Sequence, residues 1–219
     1  MKHVLAFGDS NTFGTKHFEV LDRFDLQTRW TGRLATALGS KFRVIEEGMP
    51  GRTTAFDDPL RDYRSGRHYL VPCLNSHRPL DLAIVMLGTN DLQMRYSASS
   101  ADVATGLEIL VDIIKKAGAG PDGDTPEILI IAPPPMGSID PIEEPCWQGA
   151  HKKCSELPKL YERIATRYGC HFLNSQAVLT TNDLGEDGLH LAESGHAKLS
   201  EHVARKVTEI LVEKPLTTV

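Results

Sequence analysis

The 219-residue chain predicts an α/β fold in which a mostly parallel sheet is covered by helices on both faces. Three observations carry this. Apolar runs of strand length recur along the chain, and stretches with helical spacing separate them. One run, "LAIVML" at 82 to 87, is apolar at every position, as a strand buried on both faces requires.

Taken in order, the predicted strands are "HVLAF" at 3 to 7, "FRVIEE" at 42 to 47, "LDLAIVML" at 80 to 87, "EILIIA" at 127 to 132 and "CHFLNS" at 170 to 175. Helical spacing falls between them at about 29 to 39, 66 to 77, 100 to 118, 150 to 168 and 193 to 213. The best-marked helix lies in "SSADVATGLEILVDIIKKAGAG": serines suited to N-capping lead it, apolar residues repeat at steps of three and four, and lysines followed by glycine end it. The last helix places Leu199, Val203, Val207, Ile210 and Leu211 on one stripe that packs back on the sheet. The proline-rich, aperiodic stretch 133 to 149 reads as a long ordered loop over the carboxyl edge of the sheet, where loops shape sites.

At 219 residues and 41% hydrophobic content, one domain over 1–219 is expected. The net charge of -5, without a lysine–arginine run, argues against nucleic acid as a partner. The first apolar run ends at Gly8, too soon for a secretory segment or a membrane span, so cytoplasmic residence and no membrane partner are the expectation. Cys73, Cys146, Cys154 and Cys170 are scattered without a CxxC pair and read as reduced, mostly buried thiols. His151 with Cys154, or His190 with His196 and Asp187, lacks the further ligands of a recognisable metal site, so no metal is expected. His196 and His202 read as partly buried or solvated residues of the last helix. Asp57, Asp58 and Asp62 lie near Arg61 and Arg64, which favours ion pairing over catalysis.

In a parallel sheet the ligand crevice lies beyond the carboxyl ends of the strands. Ser10, Gly51 and Asn90 follow the first three predicted strands, and Asp187 and His190 precede the last helix. Each has an ordinary alternative: Ser10 as a turn residue, Asn90 as part of a turn, and the Asp187–His190 pair as a capped surface histidine. Together they supply every group that acyl transfer needs. A serine hydroxyl is a poor nucleophile until a base lies within hydrogen-bond reach, with an orienter for the base and donors for the oxyanion. Asp187 and His190 are three apart, so one turn brings the carboxylate to Nδ1 and leaves Nε2 free. Gly51, lacking Cβ, can present its N–H, and Asn90 its side-chain amide. A phosphate-binding reading of "GDSNTFGTK" fails, because that stretch contains neither Gly-Lys-Ser/Thr nor G-x-G-x-x-G.

Four blocks carry a family resemblance: "FGDSN", "EEGMPGRTT", "VMLGTND" and "DGLH", in order and at about the family's spacing. With them the chain resembles the SGNH (GDSL-type) hydrolases. "RWTGRLATALG", "RTTAFDDP" and the triple proline resemble the bacterial arylesterase and acyltransferase branch, so the likeness covers most of the chain. The resemblance implies a three-layer α/β/α, flavodoxin-like fold and a cofactor-free serine esterase. By it, Ser10 is the nucleophile, His190 the base and acid, Asp187 its orienter, and Ser10, Gly51 and Asn90 the oxyanion hole. It further implies small aryl or alkyl esters as substrates, acyl transfer to alcohols as a side activity, and a homo-oligomer. Carbohydrate O-acetyl esterase is the second reading, and a silent binding module the alternative of a different class. The branch usually has leucine and then Thr-Trp after the serine, where this chain has Asn11, Thr12 and Phe13. Asn11, Phe13 and Trp147 are therefore candidate substrate contacts, with Trp30 and Met136 as further candidates for an apolar pocket.

Overall fold

The structure is a computed structural model and describes residues 1–16 and 22–212. Five strands, β1 (Lys2–Gly8), β2 (Phe42–Gly48), β3 (Leu82–Met86), β4 (Glu127–Ile131) and β5 (His171–Leu173), form one sheet in the order β2-β1-β3-β4-β5, every neighbouring pair parallel. The helices are α1 (Ser10–Phe13), α2 (Trp30–Leu38), α3 (Gly66–His77), α4 (Ser100–Lys116), α5 (Ala150–Tyr168) and α6 (Glu193–Leu211). The predicted strands and helices all occur. Residue 213, the predicted end of the last helix, lies outside the described residues.

The period-2 geometry of a strand explains why β3 is apolar throughout. Ala83 and Val85 pack into a core shared with Leu74 of α3, Leu107 of α4 and Leu157 of α5. Leu82, Ile84 and Met86 face the opposite way, into a core shared with Trp30 and Leu34 of α2 and Leu199, Val203 and Val207 of α6. The result is three layers, with α3, α4 and α5 on one face and α2 and α6 on the other. α4 starts where its sequence specifies: Ser99 and Asp102 form a reciprocal capping box, and Lys115 and Lys116 occupy the last turn, where positive charge suits the helix dipole. Among the described residues no helix is long and apolar enough to cross a membrane.

The strand order puts a topological switch point between β1 and β3, because the chain leaves β1 towards β2 on one side and builds β3, β4 and β5 on the other. Ligands of open α/β sheets bind in the crevice that such a point creates. Ser10 follows β1 and Asn90 follows β3, so both stand at its edges.

Candidate active site

The turn after β1 is built by its own residues. Asp9 caps α1 through its side chain, which accepts the Asn11 N–H at 2.9 Å, while its carbonyl takes the N–H groups of Thr12 and Phe13. The tight turn lies against the end of β2. A Cβ on Gly48 would fall 2.1 Å from the Phe13 nitrogen, so only glycine permits this approach. Ser10 is thereby held as the first residue of a four-residue helix, at the floor of a cleft of about 230 Å³.

Asp187 folds the opposite wall. Its Oδ1 accepts the backbone N–H groups of Leu189 and His190, both at 2.9 Å, and its Oδ2 lies 2.6 Å from His190 Nδ1. Burial pushes the Asp187 carboxyl up, but the hydrogen bond and charge of His190 and the two backbone donors outweigh it, so its pKa falls below the usual value and the group stays ionised. An ionised partner at Nδ1 assigns the ring proton there, which makes Nε2 an acceptor. Nε2 lies 2.9 Å from Ser10 Oγ, and the hydroxyl donates to it. Ser10, His190 and Asp187 thus form one hydrogen-bonded chain, buried except where it meets the cleft.

Gly51 and Asn90 reach the same cleft. Gly51 adopts φ +77°, in the left-handed region that favours glycine. The turn that carries it is braced by Arg52, whose buried guanidinium donates to the carbonyls of Gly8 (2.9 Å) and Glu47 and lies 4.2 Å from the centre of the Phe7 ring. Asn90 donates one amide hydrogen to the Arg52 carbonyl at 3.1 Å, and its Oδ1 accepts from Gln93 Nε2 at 3.4 Å. These bonds fix the amide and leave its second hydrogen for the cleft. Nor does any acceptor among the described residues take the N–H of Ser10 or Gly51. The arrangement offers a nucleophile, a base with its orienter, and three N–H donors around one space.

Residues 6–198 match the family model of the GDSL-like lipases/acylhydrolases. The chain belongs to that family. It is 36% identical to the Mycobacterium smegmatis ("M. Smegmatis") aryl esterase over 96% of this chain and 100% of that one, with a TM-score of 0.91. A carbohydrate acetylesterase from Sinorhizobium meliloti is similar at 35% identity, covering 96% of this chain and 100% of its own, with a TM-score of 0.90. A lipase/acylhydrolase from Enterococcus faecalis, at 21% identity and a TM-score of 0.69, shares the fold. A comparison with curated proteins found no match. Family and relatives make this GDSL-like protein a carboxylic ester hydrolase.

In this hydrolase the candidate substrate contacts part company. Trp147, on a 3₁₀ turn (Glu144–Trp147) in the long loop, lines the cleft. Phe13 does not: its ring takes the Arg23 guanidinium, 4.1 Å from the centroid. Trp30 is wholly buried between α2, α6 and the sheet, and Met136 belongs to the core on the other face. Asn11 borders the cleft, and its amide is tethered: Nδ2 donates one hydrogen to the Leu189 carbonyl at 3.2 Å and Oδ1 accepts the Leu191 N–H at 2.8 Å. It clamps the residues on either side of His190.

Of the two histidines expected as partly buried or solvated on the last helix, His202 is half-buried there and His196 departs from that reading. His196 is fully buried on α6, and its Nδ1 accepts the Trp30 N–H at 3.2 Å; burial pushes its pKa down to about 3. His151 instead contacts the Gly137 carbonyl at 2.6 Å. Glu47, Cys73 and His77 bring one donor atom each to within 4.8 Å of one another at the edge of β2 and α3. A hydrogen bond of 2.7 Å between His77 Nε2 and Glu47 explains the approach of those two, and burial pushes the Cys73 thiol up to about 12. The sequence reading missed the polar rim of the cleft, Arg61, Gln93, Arg95 and Glu143. Their placement depends on loop paths that no periodicity encodes.

Proposed function

We propose that this hydrolase is a serine esterase that cleaves short-chain aryl and alkyl esters through an acyl-serine. The observation that carries the reading is the chain of contacts from Asp187 through His190 to Ser10, at 2.6 and 2.9 Å, opening on a cleft of about 230 Å³. Ser10 Oγ attacks the ester carbonyl as His190 Nε2 takes its proton, and the N–H groups of Ser10 and Gly51 and the Asn90 amide hold the oxyanion. The tetrahedral adduct collapses to acyl-Ser10 as His190 returns the proton to the leaving alcohol. Water, activated by the same imidazole, then releases the acid, with Asp187 stabilising the imidazolium in both halves. An alcohol in place of water gives acyl transfer.

Acetyl, butyryl and octanoyl p-nitrophenyl esters test the substrate: turnover should fall steeply at octanoyl and vanish in Ser10→Ala, with a phosphonate adduct mapping to Ser10. Undiminished turnover in Ser10→Ala would sink the mechanism, and absence of any adduct or turnover would favour a silent binding module. Removal of O-acetyl groups from sugars is the second reading. It is favoured by the rim of Arg61, Gln93, Arg95 and Glu143 beside Trp147, a polar and aromatic set that suits hydroxyl-rich alcohols. Release of acetate from acetylated sugars faster than from aryl acetates would select it. We further propose a single-domain, cytoplasmic homo-oligomer. The loop 133–149 beside the cleft is the candidate contact surface, and light scattering in solution checks the association.

A further inference from the structure

Beyond the reacting groups, the cleft is lined by two guanidiniums whose placement has a structural cause. Asp58, in the loop after β2, has a side chain with no exposure, and it holds both arginines. Its Oδ2 accepts from Arg61 at Nε (3.0 Å) and Nη2 (2.9 Å), and its Oδ1 meets Arg95 Nη1 at 3.5 Å. Asp58 is bound in turn by the Leu60 N–H at 2.9 Å. One buried carboxylate therefore neutralises one of two positive charges at the wall of the cleft. Arg61 points its remaining donors towards Gly51: a Cβ on that glycine would lie 3.0 Å from Nη1 and 3.1 Å from Nη2. The guanidinium thus flanks one of the proposed oxyanion donors. Among the described lining residues the single carboxylate is Glu143, which pairs with neither arginine and sits partly exposed on the facing loop, where solvent screens it.

A carboxylate is what a fixed, planar guanidinium pair recognises best, since it offers two acceptor oxygens to parallel N–H donors. We propose that Arg61 and Arg95 form a carboxylate-binding subsite, so that the enzyme selects esters bearing a carboxylate a few atoms from the reacting carbonyl. This rests on the serine-esterase reading and adds to it a class of substrate, whether the alcohol is aryl or sugar. The arginines act on binding, and the effect is read mainly in KM.

The test compares matched esters. On the alcohol side, 4-acetoxybenzoate is set against phenyl acetate and against the acetate of a trimethylammonium-substituted phenol; on the acyl side, monomethyl succinate is set against methyl butyrate. The subsite predicts kcat/KM for the anionic member of at least one pair higher on the order of tenfold at low ionic strength, the value of one charge-assisted contact. The cationic ester should be the poorest, and the preference should shrink in 0.5 M salt and fall towards one in Arg61→Gln and in Arg95→Gln. That ratio is the readout whatever either change does to the neutral rate. A ratio at or below one in both pairs, with normal turnover of the neutral esters, overturns the subsite and leaves the esterase standing. A preference that survives both substitutions overturns it too. Turnover that persists in Ser10→Ala, or none with any ester, removes the esterase reading and the subsite with it.

Discussion

Replacing Asn11 by leucine removes two buried hydrogen bonds while nearly conserving volume. The Leu191 N–H loses its acceptor at 2.8 Å and the Leu189 carbonyl its donor at 3.2 Å. A buried polar group left unpaired costs roughly 1–3 kcal/mol, and the carbonyl, with a second lone pair, falls at the low end. The sum is about 2–4 kcal/mol of stability, or roughly 4–16 °C in Tm for a chain of this size. The consequence for catalysis is separate. Leu189 and Leu191 flank His190, whose Nε2 must lie against Ser10 Oγ, and Asn11 is the covalent neighbour of Ser10. A misplacement of about 1 Å costs on the order of 10²-fold in rate. Denaturant unfolding and kcat for p-nitrophenyl acetate, measured together on Asn11→Leu, give the two numbers. Asn11→Asp is the companion: it keeps the acceptor for Leu191 but faces the Leu189 carbonyl with a charge, so it should lose more activity than Leu does. If Asn11→Leu loses less than 0.5 kcal/mol and keeps kcat within twofold, the clamp is not what positions His190.

Three further outcomes are expected. Asn90→Ala should fold and lose about 10²–10³ in kcat, as removal of one oxyanion donor does, with KM little changed in the same p-nitrophenyl assay. Gly51→Ala should lose roughly 1–2 kcal/mol on thermal melting, because alanine at φ +77° is strained and its Cβ would meet the Arg61 guanidinium at 3.0 Å. Trp147→Ala should raise KM for aryl esters, whereas Phe13→Ala should leave it unchanged, since only the tryptophan borders the cleft; equal effects in steady-state kinetics would contradict that placement.

What could be read from residues alone was whatever local pattern determines. The unbroken apolar run of β3 announces two buried faces because both faces are in the run itself, and the capping box and closing lysines of α4 mark its ends within its own sequence. The grouping of Ser10, Asn90, Asp187 and His190 was legible for a different reason: each abuts a recognisable strand or helix, and a parallel sheet gathers its strand ends. Phe13 shows the limit. Its ring meets Arg23, ten residues on, in a contact that no local pattern announces. Asn11 read as a substrate contact alone, because its distant partners Leu189 and Leu191 are unknown until β1 and the final loop are brought together. Arg61 and Arg95 come to one cleft through Asp58, on loops whose course follows no period.

His196 and the buried carboxylates Asp9 and Asp91 give the stability an unusual dependence on pH. Burial holds His196 neutral in the fold, with a pKa of about 3 against 6.5 unfolded, so between these values only the unfolded chain binds its proton. Stability from His196 is complete above pH 6.5 and is lost as pH falls towards 3. The aspartates act oppositely. Burial raises each to about 6 from 3.8, against the backbone N–H from Asn11 at Asp9 and the Thr54 donors at Asp91, so the fold retains protons that the unfolded chain has released. Their contribution is complete below pH 3.8 and is lost as pH rises through 6. Near pH 5 the three groups sum to one more proton on the folded state, and they oppose the gain in stability that the ordinary carboxylates bring with rising pH. Variants isolate each contribution as a difference from wild type. Asp91→Asn keeps an acceptor for Thr54 and should be stabilised relative to wild type increasingly from pH 4 to 6, by up to about 1.4 kcal/mol per pH unit. His196→Asn keeps an acceptor for Trp30 and should be stabilised, relative to wild type, increasingly as pH falls over the same range. Parallel urea-unfolding profiles for wild type and both variants would mean that neither side chain titrates differently on folding, and burial would then not be what sets their charge.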